Sequence, residues 1–213
     1  MKGIVPLEIL YSDKHIVVCK KEIGENSQDT KDSVPEKIRE ALGGEVFTVH
    51  RLDLNVGGVM VYARTKQAAA KLSQQIQAGK LKKEYLAVVN GEPNPKADRL
   101  VDFLFKDSSK NKVFVVKNQR KGVKEARLDY DVVKTVNDKS LVHIVLDTGR
   151  SHQIRVQFAS RKWPLLGDHK YGSRDEEKNP ALFSSKLTFN HPITEAELSF
   201  ESIPKGEIWN CFM

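Results

Sequence analysis

Short runs rich in Val, Ile, Phe and Tyr alternate along the chain with polar or glycine-bearing stretches. His15–Cys19, Val46–Val49, Gly58–Ala63, Tyr85–Asn90, Lys112–Val116, Ala126–Thr135 and Leu141–Asp147 have the length and the β-branched or aromatic content of strands. Three segments carry a helical period instead. Ser33-Val34-Pro35-Glu36 is a capping box with proline near the first helical position; Ile38, Ala41 and Leu42 follow on one face, and Gly43-Gly44 stops the helix. Thr65 is placed to cap a helix running through Ala78, with Ala69, Leu72 and Ile76 as its apolar stripe and Gly79 as a left-handed exit. A third helix is predicted from about Ser151 to Arg161, where Ile154 and Phe158 stand one helical turn apart. Many strands and few helices, without βαβ alternation, imply an α+β fold: a mixed, largely antiparallel sheet flanked by a few helices.

No repeat, low-complexity tract or Pro/Gly/Ser-rich linker interrupts this pattern. One domain spanning residues 1–213 is therefore expected, with room for two lobes across a cleft. Asn90–Ala97 and Ser173–Pro180 are expected as surface excursions. No apolar stretch reaches the ~18 residues of a membrane span, and Met1–Glu8 meets charge too early for a secretory leader. The only cysteines are Cys19 and Cys211, which excludes a disulfide framework and a cysteine-rich zinc site. Cys19, inside an apolar run, reads as a buried core thiol. A reduced, cytoplasmic protein with no membrane partner is the default.

Charge changes this picture mildly. Lys and Arg number 35 against 28 Asp and Glu, a net charge of +7, which favours an anionic partner such as nucleic acid. The excess is uneven. Residues 64–83 hold Arg64, Lys66, Lys71, Lys80, Lys82 and Lys83 with no acid; residues 105–127 hold Lys106, Lys110, Lys112, Lys117, Arg120, Lys121, Lys124 and Arg127 against Asp107 and Glu125. Such runs are solvated faces or phosphate contacts. If six to eight of these side chains met phosphates, affinity would fall by roughly 10³ or more between low and moderate salt.

The chemistry-bearing motifs are few. There is no Walker-type or dinucleotide glycine loop, no His-Glu-x-x-His, no Gly-x-Ser-x-Gly, and the six histidines lack ligand spacing. Hence no nucleotide cofactor and no metal are expected. Two constellations remain. In His50-Arg51-Leu52-Asp53-Leu54-Asn55-Val56-Gly57-Gly58 a strand delivers a polar quartet into a turn, where a scaffold presents reactive groups; Asp53 is either a working carboxylate or an ordinary turn aspartate. In Thr148-Gly149-Arg150-Ser151-His152-Gln153-Ile154-Arg155 a strand passes through a turn into a helix whose first turn carries two arginines, suited to an anion or a carboxylate.

Taken in order, these segments resemble the RluA-type RNA pseudouridine synthases. His50-Arg51-Leu52-Asp53 with Gly57-Gly58 resembles the family's catalytic motif. Tyr11–Val18 with Lys21 and Gly24 is similar to its opening strand, Lys83-Glu84-Tyr85 to its Lys-x-Tyr segment, and Thr148–Arg155 to its late arginine motif. Pro164–Gly172 and His191-Pro192 match its closing signatures, so the resemblance covers residues 7 to 204. Departures are Val56-Gly57 where Thr-Ser is usual, Lys20-Lys21-Glu22 where Asn-Lys-Pro is usual, and Leu182-Phe183, taken as the start of a late helix, where Leu-His is common. With the catalytic pattern beginning so early, no N-terminal RNA-binding domain is expected.

The resemblance implies the pseudouridine synthase fold with a central RNA-binding cleft, and isomerisation of uridine to pseudouridine in ribosomal or transfer RNA without a cofactor; the absence of an obvious association helix favours a monomer. Uracil leaves C1′ of the ribose, turns, and rejoins through C5. The family's acting carboxylate maps to Asp53; attack at C6, attack at C1′ and removal of a sugar proton all stay open for it. A carboxylate buried beneath a base needs a cation to stay ionised, and the family's partner maps to Arg155. Tyr85 maps to the tyrosine that stacks on the target base and Arg51 to the residue that fills the space of the flipped base, while Arg150 and His152 either bind substrate or serve as a structural cap that positions the motif. Two other classes compete: a non-catalytic RNA-binding factor on the same scaffold, and a metal-dependent nuclease, which would need a carboxylate cluster the chain lacks.

Overall fold

A computed structural model describes residues 6–212. The leader reading of Met1–Glu8 rests largely on residues outside that range. In chain order the elements are β1 (Glu8–Ser12), β2 (Ile16–Lys21), α1 (Val34–Leu42), β3 (Phe47–Thr48), β4 (Gly57–Ala63), α2 (Lys66–Gln77), β5 (Lys82–Asn90), β6 (Ala97–Asp107), β7 (Lys112–Val116), β8 (Val123–Val136), β9 (Lys139–Leu146), α3 (Gln153–Ser160), β10 (Leu182–Asn190), β11 (Glu197–Glu201) and α4 (Glu207–Asn210). The fold is α+β. The described residues divide into two compact units: one runs through Lys82 and takes back Ser184–Ile203, the other comprises Lys83–Phe183 and the residues from Pro204 onward.

In the first unit the strand order is β1-β2-β4-β10, with β3 on β4 and β11 on β10. β1–β2, β2–β4, β3–β4 and β10–β11 run antiparallel. Ile16–Lys21 and Gly57–Ala63 are buried along their whole length, which is why Ile16–Cys19 and Gly57–Ala63 read as unbroken apolar runs rather than alternating ones. Ile16, Val18, Val59, Val61 and Ala63 form one core with Leu187, Phe189 and the Ala68 and Leu72 face of α2. Cys19 is fully buried. Both helices start as expected: Ser33 accepts from the Glu36 amide and Thr65 from the Ala68 amide. Glu36, however, closes the first cap on the Asp32 amide, not on that of Ser33.

β10 corrects the late-helix expectation. Leu187 and Phe189, two residues apart, reach the core, and Ser184 packs its backbone against Gly58. A Cβ on Gly58 would lie 2.3 Å from the Ser184 carbonyl oxygen, and its φ is +125°. Gly58 thus serves both a close approach and a backbone shape that other residues resist.

In the second unit the order is β5-β9-β8-β6-β7, every neighbour antiparallel. Ala126, Leu128 and Tyr130 of β8 are buried at alternate positions, the period of a sheet with one packed face. β6 escapes a sequence reading because Asp102 stands between Leu100 and Leu104 on that face. It accepts from Gln157 Nε2 at 2.8 Å and Arg161 Nη1 at 2.8 Å, so a satisfied carboxylate occupies a position where the pattern calls for an apolar residue. Ser173–Pro180 is more than a surface excursion: Asp175 accepts from the Gly167 amide at 2.9 Å, and a Cβ on Gly167 would lie 2.1 Å from the Asn179 carbonyl oxygen.

Candidate active site

His50, Arg51 and Asp53 of the first unit sit on the loop between β3 and β4. The Val56 amide donates to the Asp53 carbonyl at 3.0 Å, closing a turn that starts at Asp53. The loop is held from three sides. Ser27 Oγ donates to the Leu52 carbonyl at 2.9 Å. The Gly24 amide donates to the Leu54 carbonyl at 2.9 Å. Lys21 Nζ donates to the carbonyls of Glu22, Leu54 and Val56 at 3.0, 3.2 and 2.7 Å, so all three ammonium protons are used and two of them grip the backbone just after Asp53. His50 Nε2 accepts from the Val61 amide at 3.1 Å, which requires the proton of a neutral ring on Nδ1. The result is a half-buried Asp53 beside an exposed Arg51.

Lys21 is fully buried. Burial pushes its amine down to about 8, against the pull of Glu25, Asp53 and Glu22. Lys21 is the residue to which the sequence reading gave no role. The signal was present: a lysine at the fully buried end of a strand that begins Ile16-Val17-Val18-Cys19 needs a purpose for its charge.

The remaining candidates belong to the second unit. Tyr85 is buried on β5, paired in register with Ile144. Lys83, two residues earlier, shares its face, and its Nζ would lie 3.5 Å from a Cβ on Gly149. The late arginine motif does not begin as a helix: α3 starts at Gln153, and His152 is its N-cap in a left-handed conformation with φ 50°. Arg150 and Ser151 therefore stand in the turn before the helix. The cause is Gln153, whose Oε1 accepts from Thr148 Oγ1 at 2.8 Å and from the Arg150 amide at 3.0 Å, while its Nε2 donates to the Arg127 carbonyl at 2.9 Å. The Arg150 amide is thereby satisfied internally, and the Arg150 guanidinium donates Nε to the Glu125 carbonyl at 2.9 Å.

Arg155 is buried and forks onto Asp168, Nε to Oδ2 at 2.7 Å and Nη2 to Oδ1 at 2.8 Å. This is the planar bidentate geometry arginine favours. Its guanidinium carbon lies 5.1 Å from the centroid of Tyr171. Tyr171 Oη accepts from the Val113 amide at 2.9 Å and bonds His152 Nδ1 at 2.8 Å. The structure thus gathers His152 and Arg155 around Tyr171. Asp168 and Tyr171 lie in the closing signature Pro164–Gly172, where the sequence reading gave them no individual role. Among the described residues no group of three or more His, Cys, Asp or Glu could hold a metal ion, and no helix is long and apolar enough to cross a membrane.

Known proteins place the chain in a family. Residues 14–160 match the family described as RNA pseudouridylate synthase. The dual-specificity RNA pseudouridine synthase RluA of Escherichia coli (strain K12) is 35% identical over 210 residues, covering 92% of each chain. The ribosomal large subunit pseudouridine synthase D of Zymomonas mobilis is 28% identical, covering 93% of this chain and 69% of its own. Among solved structures, human RNA pseudouridylate synthase domain containing 1 shares the fold, with a TM-score of 0.81 at 21% identity over 96% of this chain and 86% of its own. The chain belongs to the RNA pseudouridylate synthase family. It is an RNA pseudouridine synthase, an isomerase acting on RNA.

Proposed function

We propose that the chain isomerises specific uridines of ribosomal or transfer RNA, with Asp53 as the acting carboxylate and the target base flipped out of its stack. The observation that carries this reading is the turn at Asp53. Lys21, Ser27 and Gly24 bond the carbonyls around it, so the backbone that bears the carboxylate is fixed before substrate arrives, and fixed geometry is what catalysis draws on. In the net reaction the C1′–N1 bond breaks, a C1′–C5 bond forms, C5 gives up its hydrogen and N1 gains one.

The other roles follow the family resemblance. Tyr85 stacks on the uracil, a contact worth about 1–3 kcal/mol. Arg51 occupies the space of the extruded nucleotide, whose flipping costs a few kcal/mol. Arg155 is the cation that keeps the acting carboxylate ionised, with Asp168 fixing its guanidinium plane. Arg150 and His152 support substrate binding. The two relatives, one a dual-specificity synthase and one a synthase of the large ribosomal subunit, support ribosomal RNA as a substrate. Mapping pseudouridines in total RNA with and without the gene identifies the target.

The test of the carboxylate is Asp53→Asn. Tritium release from RNA labelled at uridine C5 falls to background in the variant, while RNA binding stays within about twofold. Release at the wild-type rate would overturn the assignment.

A further inference from the structure

In the second unit a cavity of about 200 Å³ is lined by Leu104 and Lys106 of β6, Val113 of β7, Gly122 and Lys124 around the start of β8, and Gly149, Arg150 and Ser151 of the turn before α3. Its floor includes two buried apolar side chains, Leu104 and Val113. Its polar lining is cationic: Lys106, Lys124 and Arg150. Lys106 and Lys124 are exposed and make no ion pair among the described residues. Arg150 is anchored by its Nε on the Glu125 carbonyl, with no carboxylate bonded to it among the described residues. The carboxylate of Glu125 itself is taken by Arg127. Behind the Gly149 turn stands the Lys83 ammonium, which has no hydrogen-bond partner among the described residues.

Three cations converging on one small cavity, with a fourth behind it, repel one another in the absence of an anion. The neighbouring basic side chains differ. Arg127 is committed to Asp147 and Glu125, Arg120 lies over the Phe105 ring and Lys112 over Phe114 and Tyr171. Charge is thus neutralised or stacked around the cavity and left uncompensated within it. Burial pushes the Lys83 amine below its ordinary range, a cost that an incoming anion relieves.

We propose that this cavity is a phosphate-binding subsite, formed by Lys106, Lys124 and Arg150, that seats one phosphodiester of the RNA strand. It rests on the reading of the protein as an RNA-modifying enzyme and adds to it a defined point at which the backbone is held. Contacts of this kind fix the register of a nucleic acid without reading its sequence, so the cavity sets how far along the strand the target uridine falls from a seated phosphate.

The test is a scan of a substrate RNA in which one phosphodiester at a time is replaced by an uncharged methylphosphonate, with binding measured to the wild type and to Lys106→Ala/Lys124→Ala. At one linkage the replacement weakens wild-type binding by about 5–20-fold and leaves the double variant unaffected by it, because the partner charges are already gone. The salt slope of the variant falls by about 0.7–0.9 per lost phosphate contact. Lys14→Ala, an exposed lysine of the first unit, controls for loss of charge alone. Equal penalties at every linkage, or a control slope that falls as much, would overturn the subsite. So would inorganic phosphate stabilising the wild type and not the double variant while RNA binding by the two stays the same, which marks a free-phosphate site. Binding is read without turnover, so an inactive protein that still shows the single-linkage effect would refute the enzymatic reading and leave the subsite standing.

Discussion

A carboxylate and a guanidinium decide much of what this chain tolerates. Asp168 is 1% exposed and is bonded twice by Arg155. Desolvating both ions is costly, and their mutual attraction offsets that cost only while both are present. Asp168→Asn is therefore expected to destabilise the fold by about 3–5 kcal/mol, read as a lower urea midpoint. Arg155→Met/Asp168→Leu, which removes both charges, should recover most of that loss while remaining inactive on C5-tritiated RNA. A double variant less stable than Asp168→Asn would refute this account of the pair.

Among the elements, the strand β2 ends on a charge that the loop bearing Asp53 depends on. Lys21 titrates at about 8 in the folded chain, against an ordinary value near 10.4 when unfolded. Between those values the unfolded chain holds a proton that the folded chain has released, so stability rises with pH across that window. The gain from this residue approaches about 3 kcal/mol by the top of the window. Lys21→Met should abolish that rise in urea midpoints taken at pH 7, 8.5 and 10, and a slope as steep in the variant would assign it to other groups.

The elements legible in the sequence were those whose burial produced an unbroken pattern: β2 and β4, apolar on both faces, and α1 and α2, marked by their caps. Those that escaped have polar residues facing inward with partners far along the chain. Asp102 hides β6 because Gln157 and Arg161 satisfy it from α3 and beyond. Ser184, buried with its hydroxyl on the Val59 carbonyl, hides β10. The site followed the same rule. Asp53, Tyr85 and Arg155 stood in motifs, whereas Lys21, Asp168 and Tyr171 act through bonds that only tertiary structure reveals. The expectation that Ser151 opens a helix failed because the Gln153 side chain supplies local bonds that compete with helix formation.

At the scale of the whole molecule, the charge of +7 is less available than its sum implies. Arg64 donates to the carbonyls of Asp13, Leu42 and Gly43, and Arg127 is held by acids; neither can meet a phosphate without abandoning these bonds. Within residues 105–127, Lys106, Lys117, Lys121 and Lys124 are exposed and free of ion pairs among the described residues. On a single strand, four phosphate contacts give a slope of log affinity against log salt of about −3, against about −4 to −6 for six to eight. Titrating RNA binding between 50 and 200 mM salt separates the two, and the steeper value would mean that arginines now engaged with carbonyls or acids are released on binding.

The return of β10 to the first unit has a consequence for the chain as it is made. Residues up to Lys82 leave the ribosome without Leu187 and Phe189, which complete their core, and about 100 residues of the second unit follow first. At about 5–20 residues per second that is a delay of roughly 5–20 s. For that interval β4 has an open edge and an uncovered groove at Gly58, whereas the second unit already has all five strands of its own sheet. The half of the protein that carries Asp53 therefore closes only after the sheet of the other has been made, and Trp209 and Phe212 reach the second unit's core later still.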